Sequence, residues 1–114
     1  MSAAALKARL RADLKAAMQA KASGDVRVLR VLIAALDNAE AVAGAPDRHV
    51  PRAFGDPAGE VARLDLDPDA ISRLLAAEID ARRAAAADYE RHGRHAEAAS
   101  LREEIARVER YRDS

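Results

Sequence analysis

The chain has 114 residues, 19 lysines plus arginines matched by 19 aspartates plus glutamates, and only 3% aromatics, so it lacks the charge footprint of a general nucleic-acid binder. Cysteine is absent, which excludes a disulfide framework, a thiolate zinc site and a cysteine nucleophile. Half of the residues are hydrophobic, many of them alanine, and a core of Leu, Val, Ile and Ala points to an all-α protein of one domain.

The N-terminal stretch is broken by Lys7, Arg9, Arg11 and Asp13, so it is no secretory leader, and no segment approaches a membrane span; a soluble cytoplasmic protein is expected. Ser2 predicts an N-cap for a first helix to about Ala22, with Leu6, Leu10, Leu14, Ala17 and Met18 on one face and Lys7, Arg11 and Lys15 outside it. Ser23-Gly24 predicts the stop, and Asp25 the cap of a second helix. That helix, running to Val42, is the most apolar stretch. Its polar residues Arg27, Arg30, Asp37 and Asn38 share one narrow arc with Ala34 and Ala41, and the remaining circumference should be covered by other helices.

All four prolines fall between Gly44 and Pro68, so a long loop over 44–66, with at most a short turn near 60–64, is expected to divide a first hairpin (1–43) from a second (67–114). Asp67-Pro68-Asp69 predicts the start of a third helix, which should run to about His92 with Ile71, Leu74, Leu75, Ala85, Ala86 and Tyr89 inward and Gly93 as its stop. A fourth, from about His95 to Tyr111, carries a seam of Ala98, Leu101, Ile105 and Val108, with Glu104 among the charges placed outside or beside it. The architecture expected is four helices in two antiparallel hairpins.

Two patterns are candidates for function. Glu40, Glu78 and Arg82 interrupt apolar faces, and charges there need partners; the expectation is a buried ion network of Glu40, Glu78, Arg82 and Arg83, with Glu40 neutralised by Arg82 or Arg83. The arc of Arg27, Arg30 and Asn38 is a candidate binding strip, since spaced arginines suit phosphate or carboxylate and asparagine suits amide or base edges. His92, His95 and Glu97 only mimic a metal spacing, no GxSxG, GxGxxG or Walker sequence occurs, and neither catalytic residues, a metal site nor a cofactor is expected.

The segments Leu6–Lys21 and Leu29–Glu40, followed by Glu78-Ile79, Arg82-Arg83, Tyr89-Glu90, Gly93-Arg94 and Ala98, resemble the GatB/YqeY family over most of the chain outside 44–65. The resemblance implies a helical module similar to the tail of the B subunit of the glutamine-dependent amidotransferase that corrects mischarged tRNA. It implies tRNA or a tRNA-modifying enzyme as partner, and an association with carbon-nitrogen ligase activity that has glutamine as amide donor. Family members usually continue beyond the segment similar to Ile105–Tyr111 into a second helical subdomain, which this sequence is expected to lack. The reading is a non-catalytic binding module. An accessory subunit of a carbon-nitrogen ligase is one alternative, and a self-associating or protein-interaction module is the other.

Overall fold

The computed structural model describes residues 2–44 and 66–112. It is all-α, with α1 at Ala3–Gln19, α2 at Ser23–Gly44, α3 at Pro68–Arg91 and α4 at His95–Arg112. Of the loop expected over 44–66, Gly44 is the last residue of α2, while 45–65, with the turn expected near 60–64, lie outside the described residues. No helix among the described residues is long and apolar enough to cross a membrane.

The starts of α1 and α3 follow from local chemistry. The Ser2 hydroxyl accepts from the Ala5 amide at 3.1 Å, and the Asp67 carboxylate accepts from the Ala70 amide at 2.7 Å, ahead of Pro68 at the first helical position. Both hairpin turns are the same device. After α3, the amide of Arg94 donates to the Tyr89 carbonyl and that of Gly93 to the Glu90 carbonyl, with Gly93 left-handed at φ 73°. After α1, the amide of Ala22 donates to the Ala17 carbonyl and that of Lys21 to the Met18 carbonyl, with Lys21 left-handed at φ 55°.

The first turn therefore departs from expectation. Gly24 was expected to be the left-handed stop and Asp25 the cap, but both lie in the first turn of α2. Gly24 has a different use: a Cβ there would stand 3.3 Å from the Arg107 guanidinium of α4.

The helices of each hairpin pack on each other, and α2 joins the hairpins through contacts with α4 and α3. Leu6 and Leu10 of α1, Val28, Leu32 and Leu36 of α2, Ile71, Leu75 and Ile79 of α3, and Val108 of α4 are fully buried in one cluster. Ile79 and Tyr111 join that core without having been assigned to a stripe. The expectation that α2 is surrounded on every apolar side does not hold, because Val31 and Val42 are exposed. Met18, expected on the inner face of α1, is also exposed.

The paired turns predict opposite responses. A left-handed conformation costs a residue with a Cβ about 1–2 kcal/mol, so Gly93→Ala should lower unfolding free energy by about 1 kcal/mol in urea titration. Lys21→Gly should raise it by up to about 1 kcal/mol, since glycine relieves the strain but gives the unfolded chain more freedom.

Candidate functional site

The charges that interrupt the apolar faces form two separate clusters. In the first, Glu40 of α2 is 3% exposed and faces α1. Lys7 Nζ lies 3.1 Å from both of its carboxylate oxygens and 3.3 Å from Asp37. The geometry suits a hydrogen bond to Oε2 only, which leaves Oε1 buried without one among the described residues. The expected neutralisation of Glu40 by Arg82 or Arg83 is therefore corrected: the partner is Lys7, one helix away in the same hairpin.

The second cluster spans three helices. Arg82 of α3 donates to the Glu78 carboxylate at 2.7 Å and to the Glu78 carbonyl at 3.0 Å. Its Nε lies 3.5 Å from Glu104 of α4, which accepts from Arg27 of α2 at 3.4 Å. Glu104, expected outside the seam, is 7% exposed. Arg83 belongs to neither cluster; it is exposed, 3.3 Å from Glu109 and 3.7 Å from Asp80. Lys7 and Glu104 were both detectable by spacing, Lys7 at the edge of the Leu10–Leu14 stripe and Glu104 midway between Leu101 and Val108.

Three depressions stand out on the described surface. A cleft of about 440 Å³ lies among α1, the start of α2 and the end of α4. Most of its charges answer one another: Arg107 pairs with Asp25, the Tyr111 hydroxyl donates to Asp13 at 2.5 Å, and Arg9 lies over the Tyr111 ring at 4.7 Å, while Arg110 at its edge has no acidic partner among the described residues. Burial, then the hydrogen bond to Asp13, pushes the Tyr111 phenol far above its ordinary range. A second depression at the other hairpin turn is lined by Ala85, Asp88, Tyr89, His92 and Arg94. Here Arg94 is held by Glu97 at 2.7 Å, and His92 Nδ1 lies 2.7 Å from the Asp88 carbonyl. Neighbouring Glu90 is pulled below its ordinary value chiefly by a hydrogen bond from His95 at 2.9 Å. No group of three metal-ligating side chains converges among the described residues.

The third depression differs from both. It is an open groove of about 670 Å³ at the first hairpin turn, lined by Met18, Lys21, Ser23, Val26, Arg27, Arg30 and Val31. Its floor is aliphatic, with Met18 51% and Val31 39% exposed. Its charged lining residues are all cations. Arg27 reaches out to Glu104, whereas Lys21 and Arg30 have no acidic partner among the described residues. The groove takes in two of the three residues of the expected binding strip; Asn38 is exposed two turns beyond Val31 and outside the lining. Lys21 was not singled out by sequence, because the left-handed position was assigned to Gly24.

One prediction comes from the Glu40 cluster and one from the cleft around Tyr111. Lys7→Met leaves Glu40 buried and uncompensated, and should cost about 3 kcal/mol by urea unfolding, while Lys7→Met with Glu40→Leu should recover most of it. Tyr111 keeps its proton more firmly folded than unfolded, so its contribution to stability is complete below about pH 10 and falls as pH rises beyond it. Unfolding midpoints followed from pH 8 to 11 should accordingly fall less steeply in Tyr111→Phe than in the parent.

No curated protein matches the chain. The family described as "Yqey-like protein" matches residues 7–113, nearly the whole sequence and all but the extreme ends of the two hairpins. On that match the chain belongs to the YqeY-like family.

Proposed function

We propose that this protein is a non-catalytic helical binding module that works, in the cytoplasm, beside a tRNA-modifying enzyme or its tRNA. The observation that carries the reading is the groove at the α1–α2 turn. An aliphatic floor of Met18, Val26 and Val31 is open to solvent there, rimmed by cations of which Lys21 and Arg30 have no acidic partner among the described residues. Exposed apolar surface with a charged rim is the ordinary anatomy of an interaction site. In the other two depressions carboxylates stand among the cations and most charges are matched internally, whereas the groove is lined by cations alone. Membership of the YqeY-like family supports a small helical domain. The choice of partner class rests on the sequence resemblance of Leu6–Lys21 and Leu29–Glu40 alone.

An accessory role in carbon-nitrogen ligation fits the same reading if the chain brings a ligase together with its tRNA and leaves glutamine chemistry to the enzyme. Self-association through the groove is less well supported, because the rim would meet its own positive charge.

The test is affinity capture of the tagged protein from its own cells, with bound RNA sequenced and bound proteins identified. The expected result is enrichment of a tRNA-modifying enzyme or of tRNA, falling about tenfold for Arg30→Glu, since a rim charge is reversed without touching the core. Recovery of neither, or sustained glutamine-dependent ammonia release by the purified chain alone, contradicts the proposal.

A further inference from the structure

The groove's chemistry says more than that something binds there. We propose that it receives an acidic amphipathic helix of a partner protein, with apolar side chains on Met18, Val26 and Val31 and carboxylates on Lys21 and Arg30. The inference rests on the binding-module reading and adds the chemical nature of the ligand.

Three occupants compete, and the lining discriminates among them. A second copy docked by the same patch would bring Lys21, Arg27 and Arg30 against their equivalents across a two-fold axis, which like charge opposes. A nucleic-acid strand satisfies the cations through phosphate but leaves the aliphatic floor uncovered. Unpaired bases seek aromatic faces for stacking, and the lining contains none. An amphipathic helix answers both halves at once, apolar side chains at helical spacing for the floor and flanking Glu or Asp for the rim.

The surroundings extend the same pattern. Arg11 and Lys15 are exposed and precede Met18 by seven and three residues, so they lie on its face of α1 and lengthen the positive rim. Along α2 the exposed arc continues as Ala34, Asn38 and Ala41, whose short side chains let another helix approach closely. Lys21 supplies a further argument. At the position where the other hairpin turn has Gly93, this turn holds a cationic side chain in a left-handed backbone at φ 55°. Stability is given up there for a positive charge at the edge of the groove, as happens where strain serves a site.

The experiment uses the full chain and two helical peptides with identical leucine anchors at i, i+3, i+4 and i+7, one flanked by glutamates and the other by lysines, with tRNA as a third probe. The glutamate peptide should bind about tenfold or more tightly than the lysine peptide, and less tightly as salt rises. Val31→Ser and Arg30→Ala should each weaken it by about tenfold, as substitutions at contact anchors do. Lys21→Gly should weaken it while raising the unfolding midpoint, a combination that a purely structural role for Lys21 does not produce. Equal binding of both peptides, preference for the lysine peptide, or sedimentation as a dimer closed by this face overturns the assignment. Retention of tRNA at low salt with neither peptide bound also overturns it, yet leaves the binding-module reading standing. Binding of no probe overturns the assignment, and with failure to capture a partner from cells the broader reading falls too.

Discussion

The two hairpins hold together because α2 buries the stripe Val28, Leu29, Leu32 and Leu36 against partners from both of them. A hairpin of two helices has too little apolar surface to be stable alone, and this stripe converts two such hairpins into a shared core. With few aromatics in the chain, the core is filled by aliphatic side chains. Alanines at Ala3, Ala17, Ala86 and Ala98 occupy buried positions where a larger side chain would hold the helices apart. Because the stripe uses one side of α2, the opposite side is left to solvent. The exposed Arg27, Arg30, Val31 and Asn38 follow from that geometry as directly as the buried leucines do.

Charge is placed inside the bundle where helix order has to be decided. Apolar stripes alone are tolerant of sliding, whereas a buried carboxylate accepts few neighbours. Glu40 with Lys7 fixes α1 against α2, and Glu104 between Arg82 and Arg27 fixes α4 against both α3 and α2. Arg107 with Asp25 and Tyr111 with Asp13 add two ties from the last turns of α4 to the first hairpin, and Gly24 leaves room for the Arg107 guanidinium. Arg27 thus serves the hairpin junction as well as the groove, while Arg30 has no acidic partner among the described residues.

Legibility in sequence followed the range of the interaction. Features decided within one turn of chain could be read directly: the Ser2 and Asp67 caps, Pro68, and Gly93 as a left-handed stop. The failure at the first turn is equally local, since a glycine lay near enough to attract the assignment while Lys21 took the left-handed position. Periodicity identified the buried faces of α1 to α4 well but could not say which face meets which. Hence Glu40 was recognised as a buried charge and given the wrong partner, and Glu104 was placed with the solvent-facing acids. The groove was half visible: Arg27 and Arg30 stood out as charges on an apolar helix. The exposure of Met18 and Val31 depends on how α1 and α2 cross, a relation no single-helix pattern contains.

The central claim is that this protein acts by binding through the face at the α1–α2 turn. The most direct measurement is a backbone amide NMR titration of the full chain with the glutamate-flanked helical peptide. The account predicts perturbations concentrated between Met18 and Val31, with Lys21 and Arg30 among the largest and the α3–α4 turn unmoved. Perturbations centred instead on Tyr89, His92 and Arg94, or on the cleft around Tyr111, would contradict it.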